Sequence, residues 1–357
     1  MTAISPANGP VAVTGASGFI GSWMVKDLMA QGYAVRACVR ETANPKKVDH
    51  LRALSEQMLR GSIELFEADL LKPGSYDRAF EGCSAVFHTG AAIGFNNETP
   101  QEVYDGCFTQ NAHIVESVKK SGSVKRLVFT SSLAAVAHPK PAGYVFTEHD
   151  WCIDDQREYK GAWSEGDVAS DRDVAYALAK ANTEKMIYKA AAEDGTFAAM
   201  AILPCHVVGP LMSLNHDQPW SWQYWVKQMM LGKPYAMKEG GRMLWNNVDV
   251  RDVARAHRLC AESDLAKNGA RYLASASDRS GELYTWELQA KLRAMFPAID
   301  MIGGEEMNDD GTPAQPTFDS PRAYCLLAKQ ELGLTTYAID DTIRDMGISL
   351  IQTGLVK

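Results

Sequence analysis

The stretch Thr14-Gly-Ala-Ser-Gly-Phe-Ile-Gly21 decides the fold that we predict for this chain of 357 residues. It follows a short apolar run at residues 10–14 and precedes residues 19–29, where apolar side chains recur at helical spacing. Glycine lets a backbone turn tightly and approach a pyrophosphate, and the N-terminus of the next helix offers free N–H groups. A glycine triplet also fits an ordinary loop, but its position after the first strand favours a dinucleotide-binding turn.

The alternation of strand and helix continues along the chain. We predict further strands at residues 33–39, 63–66, 85–88, 126–130 and 198–203, and further helices at residues 107–120 and 176–192. Repeated alternation of this kind predicts an α/β fold, a doubly wound parallel (Rossmann) sheet with right-handed crossovers.

The character of the sequence changes after Pro204. Residues 212–245 carry four of the eight tryptophans, and the strand–helix alternation returns at residues 248–260 and 271–274. This pattern predicts a nucleotide-binding domain and a smaller, discontinuous substrate-binding lobe. The predicted domain comprises residues 1–205 plus 246–279, and the predicted lobe comprises residues 206–245 plus 280–357.

The composition excludes several classes of protein. Hydrophobic residues make up 46% and charged residues 22%, as in ordinary globular proteins, so neither a disordered chain nor a fibre is expected. The net charge of -8 gives no general electrostatic reason to bind nucleic acid or an anionic membrane. We therefore expect a small-molecule partner.

Targeting and redox signals are also weak. No run of roughly 18 apolar residues is present, and the first residues lack the basic and apolar regions of a secretory signal, so the cytoplasm is the expected compartment. The seven cysteines are widely spaced and include no C-x-x-C pair. We expect reduced, mostly buried thiols and no metal site.

The end of the second predicted strand indicates which dinucleotide binds. An acidic residue there usually takes the ribose hydroxyls of NAD, whereas arginine suits the 2′-phosphate of NADP. Here Arg40 ends the strand and Lys46 and Lys47 follow, although Glu41 is a complication and a solvated basic surface is the alternative. NADPH is favoured. Asp69, after the third strand, could accept a hydrogen bond from the adenine amino group.

Tyr176 and Lys180 have a spacing that puts both side chains on one face of a helix. Such a pair is expected by chance in a chain of this length, so its context carries the argument. The preceding strand ends in Phe129-Thr-Ser-Ser132, at the edge where an open α/β sheet binds ligands. A serine hydroxyl there could hold a carbonyl oxygen, while the lysine ammonium favours phenolate and holds ribose hydroxyls. The tyrosine would then act as general acid.

Together these motifs resemble the extended short-chain dehydrogenases/reductases. TGASGFIGSW, VFHTGA, VKRLVFTSS, YALAK, LPCHVVGP and VDVRDVARAH are similar to the dihydroflavonol 4-reductase-like branch through most of residues 10–275. The chain also resembles microbial NADPH-dependent aldehyde and ketone reductases. The resemblance implies NADPH-linked reduction of a carbonyl compound to an alcohol, an alcohol dehydrogenase or ketoreductase activity.

The resemblance also implies roles for individual residues. Ser132, Tyr176 and Lys180 match the family's catalytic residues, and Asn111 resembles its helix asparagine near the active site, although a polar residue on a helix face is an equal alternative. The cofactor-binding residues that it implies are Gly15, Ser17, Gly18, Phe19, Ile20, Gly21, Arg40, Lys47, Asp69, Leu70, Gly90, Thr130, Tyr176, Lys180, Pro204 and Val207.

The substrate is less defined. Dihydroflavonol reductases carry an asparagine five residues after the catalytic serine, where this chain has Ala137. The run around Tyr176, residues 173–180, differs from the run that cinnamoyl-CoA reductases have at their active-site tyrosine. Neither plant substrate is therefore predicted. Trp151, Trp163 and Trp220 are expected to overhang the nicotinamide together with Trp222 and Trp225, around an aryl or apolar ketone or aldehyde. The alternative is that Trp222 and Trp225 only pack their helix at i, i+3.

Other functions stay open. A sugar-nucleotide epimerase or dehydratase, or a steroid dehydrogenase/isomerase, shares the superfamily, but epimerases hold NAD tightly and Arg40 with Lys47 argues against that. A non-catalytic NADP-sensing protein is disfavoured by the intact catalytic residues. His88, His206 and His257 are expected in the core or beside the cofactor. The chain is expected to be a homodimer or a monomer.

Overall fold

The computed structural model describes residues 2–57, 60–91, 99–138, 140–141, 143–153, 167, 171–219, 221–233, 244–276, 278–301 and 321–357. The strands are β1 (Val11–Thr14), β2 (Ala34–Val39), β3 (Ser62–Glu67), β4 (Ala85–His88), β5 (Arg126–Thr130), β6 (Val145–Phe146), β7 (Ala198–Pro204), β8 (His206–Val208), β9 (Leu244–Asp249), β10 (Arg271–Ala274), β11 (Glu282–Tyr284) and β12 (Arg322–Ala323). The helices are α1 (Phe19–Ala30), α2 (Pro45–Ser55), α3 (Asp77–Phe80), α4 (Pro100–Ser121), α5 (Arg172–Asp194), α6 (Trp222–Met230), α7 (Val250–Glu262), α8 (Thr285–Met295), α9 (Leu326–Leu332) and α10 (Ile339–Gln352).

Seven parallel strands form the central sheet, in the order β10-β7-β5-β4-β1-β2-β3. Strand β1 pairs with β2 on one side and with β4 on the other, so the strand order reverses there. A crevice forms at the carboxyl ends of the strands at such a reversal. The doubly wound α/β fold predicted from the sequence is confirmed.

The strands of this sheet are apolar because helices cover both faces. Val11 and Val13 of β1 point into one core cluster, and Ala12 points into the other, as expected when side chains alternate across a strand. All four residues of β1 and all seven of β7 are buried. Burial on both faces explains why these strands read as continuous apolar runs.

A second, three-stranded sheet has the strand order β11-β9-β8 and packs with α6, α8 and α10 around a third core cluster. This sheet and these helices are called the small lobe below. Two segments pack with a different part of the structure from the one to which the predicted domain boundaries assign them. The predicted boundary at residue 246 falls inside β9, whose strand partners are in the small sheet. Residues 325–334, which include α9, pack with the core of the large sheet.

Asp249 ends β9 and is the N-cap residue of α7. Its Oδ1 accepts a hydrogen bond of 2.7 Å from the Arg251 N–H, and its Oδ2 accepts one from the Thr342 hydroxyl of α10. These bonds give Asp249 a structural role. Asp252, which is also buried, accepts the Tyr337 N–H.

All seven cysteines are unpaired and buried, as predicted. Within the described parts of the chain, no group of three or more His, Cys, Asp or Glu side chains is arranged to hold a metal ion. Among those same residues, no helix is both long and apolar enough to cross a membrane.

Candidate active site

The glycine turn between β1 and α1 leaves no room for side chains. Gly15 has φ +64°, and a Cβ there would lie 2.6 Å from the Gly90 Cα, at the end of β4. A Cβ on Gly21 would lie 2.2 Å from the Gly15 carbonyl oxygen. Glycine is therefore required at these positions by backbone packing.

The first turn of α1 presents backbone N–H groups beside this glycine turn. Gly18 is the N-cap residue and makes no side-chain capping bond, and Phe19 and Ile20 are the first two helical residues. Unpaired N–H groups and the partial positive charge at a helix N-terminus favour an anion such as a pyrophosphate. A narrow turn of glycines leading into this helix end is the arrangement that a dinucleotide needs.

The basic residues of the predicted 2′-phosphate site lie at the same edge. The Ala16 N–H donates to the Cys38 carbonyl at 3.2 Å, which joins the glycine turn to the end of β2. Arg40 is exposed just beyond that strand, and Lys47 is half-buried in the first turn of α2. Glu41 accepts a 2.9 Å hydrogen bond from the Asn44 side chain.

The predicted adenine contacts follow β3. Asp69 is half-buried, and its Oδ1 accepts the Leu71 N–H at 3.0 Å, while its second carboxylate oxygen makes no bond with the described residues. Leu70 is buried, and its Cδ1 lies against Gly90, where an added Cβ would meet it at 3.1 Å. Leu70 therefore lies against Gly90, which itself lies against Gly15 of the glycine turn.

The structure distinguishes the two serines that follow β5. The Ser131 hydroxyl is buried and donates to Glu184, which also forms an ion pair with Arg271 at 2.7 Å. The Ser132 hydroxyl is half-buried and accepts the Ala134 N–H at 3.2 Å. Ser131 therefore stabilises the core, and the hydroxyl proton of Ser132 has no acceptor among the described residues.

Tyr176 and Lys180 lie on one face of α5, as the spacing predicts. This helix begins after Asp171, whose side chain accepts the Asp173 N–H. The Lys180 Nζ lies 5.6 Å from the centre of the Tyr176 ring and donates to the Thr130 carbonyl at 3.2 Å. The tyrosine–lysine pair thus meets the end of β5, two residues before Ser132.

A chain of hydrogen bonds below this site was not predicted from the sequence. The Gly90 N–H donates to the Thr14 hydroxyl, and that hydroxyl lies 2.6 Å from His88 Nδ1. The His88 Nε2 lies 3.1 Å from Asn111 Oδ1, and the Asn111 amide donates to the Cys107 carbonyl. Because Asn111 Oδ1 can only accept, the imidazole donates from Nε2 and accepts from Thr14.

His88 is uncharged in this arrangement. Burial, followed by the nearby charge of Lys180, lowers the pKa of His88 to about 3. The sequence placed His88 in the core or beside the cofactor, but it carried no signal that the side chain joins the glycine turn to Asn111. The bonded partners are separated by 74 and 23 positions in the chain.

A second group of histidines connects the small lobe to the glycine turn. His216 Nδ1 accepts the Met212 N–H, and its Nε2 lies 3.3 Å from the hydroxyl of Ser22 in α1. His50 Nε2 lies 2.9 Å from the same hydroxyl. The Trp23 indole also donates to the Pro210 carbonyl at 2.9 Å. The segment of residues 210–216 is therefore anchored on α1, and no sequence motif indicated it.

The last two predicted cofactor-binding residues lie at the junction of two strands, since Pro204 ends β7 and Val207 lies in β8. The predicted substrate-pocket residues are Ala137, Trp222 and Trp225. Trp225 is only 5% exposed in the core of the small lobe, and Trp222 is partly buried against that core. This burial agrees with the packing alternative for Trp225, and Ala137 is buried in the core beside the central sheet.

Trp151 does not lie where the pocket hypothesis expects it. The guanidinium of Arg271 lies 3.6 Å from the centre of the Trp151 ring, so this indole covers the buried ion pair with Glu184. Trp163 and Trp220 lie outside the residues that the structure describes.

Comparison with known proteins identifies a matching family and several similar reductases. Residues 11–274 match the model of the NAD dependent epimerase/dehydratase family. The chain is 31% identical to tetraketide alpha-pyrone reductase 1 of Arabidopsis thaliana, over 98% of each chain. It is 36% identical to the bifunctional dihydroflavonol 4-reductase/flavanone 4-reductase of Malus domestica, over 82% of this chain and 77% of that one.

The fold is similar to that of solved reductases. The yeast methylglyoxal/isovaleraldehyde reductase Gre2, solved as its complex with NADPH, superposes with a TM-score of 0.78 at 23% identity. The match covers 97% of this chain and 100% of that protein.

Proposed function

This chain belongs to the NAD dependent epimerase/dehydratase family, among the extended short-chain dehydrogenases/reductases, and from that premise we propose that it is an NADPH-dependent carbonyl reductase. Its substrate would be a ketone or an aldehyde, and its product an alcohol. The observation that carries the proposal is the meeting of Tyr176 and Lys180 with the end of β5, beside Ser132.

The residues around the glycine turn fit a dinucleotide. Gly15, Gly21 and Gly90 leave a backbone cradle that any Cβ would fill, and the N–H groups of Phe19 and Ile20 would hold the pyrophosphate. NADPH, when bound, supplies the hydride that reduces the carbonyl carbon.

Arg40 and Lys47 support NADPH over NADH. Both follow β2 at the edge that carries the glycine turn, where a ribose 2′-phosphate would have to be recognised. Glu41, which could have favoured NADH, is hydrogen-bonded to Asn44. A guanidinium and an ammonium at this position offer charge-assisted hydrogen bonds to the extra phosphate.

Three side chains carry the proton chemistry in this proposal. Ser132 accepts the Ala134 N–H and keeps its own proton to donate to the carbonyl oxygen of the substrate. Tyr176 delivers a proton to that oxygen as negative charge develops on it. Lys180, held by the Thr130 carbonyl, stabilises the phenolate that remains and offers its ammonium to the ribose hydroxyls. In the reverse direction Tyr176 acts as the general base.

The test is a panel of aryl ketones and aldehydes with NADPH, run with the wild-type protein and with Tyr176→Phe. We expect turnover by the wild type and a loss of about a hundredfold to ten-thousandfold in kcat for the variant, because the general acid is removed. Fluorescence titration is expected to give the same NADPH affinity within a few fold. Tyr188→Phe, on the same helix, is the control and is expected to retain most of the activity.

Three outcomes would contradict parts of this proposal. Retained turnover by Tyr176→Phe would refute the general acid. Binding of NADPH without turnover of any carbonyl compound would favour a nucleotide sensor. Activity with NADH alone would overturn the role given to Arg40 and Lys47.

A further inference from the structure

His206 lies between the end of the central sheet and the small lobe. It opens β8, and its ring makes edge contacts with two indoles, Trp222 at 4.3 Å and Trp245 at 5.8 Å between ring centres. Trp245 is fully buried, whereas His206 and Trp222 are each only partly buried. The two partly buried rings therefore form an accessible aromatic surface.

The hydrogen bonds of His206 determine which nitrogen carries its proton. The Asn246 N–H donates to Nδ1 at 2.8 Å, so Nδ1 is an acceptor and the proton of the neutral ring must be on Nε2. In the described part of the chain Nε2 has no hydrogen-bond partner, and it is not among the buried atoms that lack one. A hydrogen-bond donor in a defined direction is thus available at the surface of this ring.

The strand register brings His206 to the catalytic edge of the sheet. Thr130 of β5 is level with Ile202 of β7, and the Ser131 N–H donates to the Ile202 carbonyl at 2.8 Å. Ser132 follows Thr130 by two positions and Pro204 follows Ile202 by two positions, so both residues lie just beyond this last pair. His206 follows Pro204 by two positions. It is the first residue of β8, which belongs to the three-stranded sheet of the small lobe.

The imidazole is uncharged at neutral pH. Burial lowers the pKa of His206 to about 4, and the Asn246 N–H, which occupies Nδ1, leaves no second proton on the ring. A neutral donor offers a directed hydrogen bond but no countercharge to offset the desolvation of a carboxylate that leaves water. The ring therefore suits an uncharged oxygen acceptor better than an acid.

We propose that His206 is a specificity-determining residue, whose Nε2–H binds a second, uncharged oxygen acceptor of the substrate. The inference rests on the proposed reductase function and defines its substrate class. The favoured substrates are carbonyl compounds in which an ester or ketone oxygen adjoins the reacting carbonyl, with an apolar or aryl group against Trp222. A simple ketone leaves the Nε2–H unpaired when it displaces water, which disfavours its binding.

The experiment compares two substrates of the same shape. Ethyl benzoylformate is an aryl α-keto ester, and valerophenone is an aryl ketone of equal chain length without the second carbonyl. The two carbonyl groups differ in reactivity, so the quantity to measure is the ratio of their kcat/KM values in each variant, relative to the wild type. This double ratio cancels the intrinsic difference between the substrates.

Two substitutions separate the acceptor function of Nδ1 from the donor function of Nε2. In His206→Asn the side-chain oxygen takes the place of Nδ1 and can still accept the Asn246 N–H, but the Nε2 donor is lost. In His206→Gln the side-chain amide reaches the place of Nε2 and keeps a donor there, but the Nδ1 acceptor is lost. His149→Asn, an exposed histidine, is the control and is expected to leave the ratio unchanged.

We expect His206→Asn to lower the keto ester to ketone ratio by about tenfold to a hundredfold, mainly through a higher KM for the ester. His206→Gln is expected to recover part of that ratio, although the loss of the Nδ1 acceptor lowers its thermal stability. Benzoylformate itself, which places a carboxylate at the same position, is expected to be a poorer substrate than its ester.

The outcomes separate this inference from the proposed function. If the wild type reduces neither substrate nor any other carbonyl compound with NADPH, the proposed function fails. If the wild type reduces both and the ratio is the same in His206→Asn, the assignment of His206 is wrong while the reductase function stands. A free acid that is reduced as well as the ester would overturn the uncharged substrate class.

Discussion

The proposed cofactor side of the candidate active site is formed by backbone atoms, whereas its proposed substrate side is formed by side-chain rings. On the cofactor side the contacts are between backbone atoms, because a Cβ on Gly15 or Gly21 would collide with the main chain at 2.6 or 2.2 Å. On the proposed substrate side, the rings of His206 and two tryptophans contact one another at 4.3–5.8 Å between ring centres. Where backbone atoms are packed this closely, only glycine fits. Where side-chain rings form the surface, each substitution changes which ligand groups the surface can bind.

The largest effect is expected from breaking the backbone side with Gly15→Ala. The new Cβ would lie at a positive φ and 2.6 Å from the Gly90 Cα, so the turn or the end of β4 must move. We expect the Kd for NADPH to rise by about a hundredfold or more. Fluorescence titration of NADPH measures this change.

Gly122→Ala is the matched control for this substitution. Gly122 has nearly the same φ, +62°, but its Cβ would meet nothing within 4 Å. It tests the cost of the left-handed conformation alone, which is about 1 kcal/mol of stability, and NADPH affinity is expected to stay at the wild-type value. Equal NADPH affinities for the two alanine variants would contradict the close approach of the glycines.

An effect on stability rather than on cofactor affinity is expected on the ring side from Trp225→Ala. Trp225 is 5% exposed in the core of the small lobe, so its removal leaves a cavity and lowers the free energy of unfolding by about 3–5 kcal/mol. Urea denaturation measures the loss. The KM for aryl ketones is expected to change little, because the indole packs the lobe.

Trp222→Ala is the companion variant that sharpens the comparison between packing and recognition. Trp222 is partly buried and contacts His206, so the KM for aryl ketones is expected to rise while the loss of stability is smaller. If KM is unchanged in both variants and only stability falls, neither tryptophan lines a substrate pocket.

The smallest effect is the pH dependence of stability that arises from His216, whose Nε2 lies 3.3 Å from the Ser22 hydroxyl of α1. Burial lowers the pKa of His216 to about 3 in the folded protein, against 6.5 for a free imidazole. Between these values the unfolded chain binds the extra proton, so the stability that is fully present above pH 6.5 is lost as the pH falls. We expect this residue to account for about 1–2 kcal/mol of destabilisation at pH 5.

His216→Asn isolates that contribution. The asparagine oxygen can accept the Met212 N–H in place of Nδ1, but the side chain does not titrate. The slope of unfolding free energy against pH is expected to fall by the equivalent of about half a proton at pH 6.5 and nearly one proton at pH 5, where it amounts to about 1.4 kcal/mol per pH unit. His50, whose pKa burial lowers to about 4, continues to contribute. Identical slopes for the variant and the wild type would show that His216 titrates normally.

The features that could be predicted from the sequence are those that depend on neighbours along the chain. The glycine turn follows β1 directly, and Tyr176 and Lys180 are four positions apart on one helix. The apolar strands indicated a parallel sheet because burial on both faces leaves a recognisable pattern. Each of these inferences needs only local geometry.

The features that sequence reasoning missed depend on residues far apart in the chain. Ser22 and His216 are 194 positions apart, and Thr14 and His88 are 74 apart. The difference between Ser131 and Ser132 also comes from a distant partner, since Glu184 engages only the first. Residues 325–334 were assigned to the small lobe because their packing on the central sheet leaves no local signal.

The fold class, the glycine turn and the candidate catalytic residues could be predicted from the sequence, because backbone conformation and helix or strand periodicity depend on nearby residues. The partner of Ser131, the indoles that pack the core and the protonated nitrogen of His206 are visible only in the three-dimensional structure. Those properties depend on hydrogen bonds and burial between segments that only the completed fold brings together.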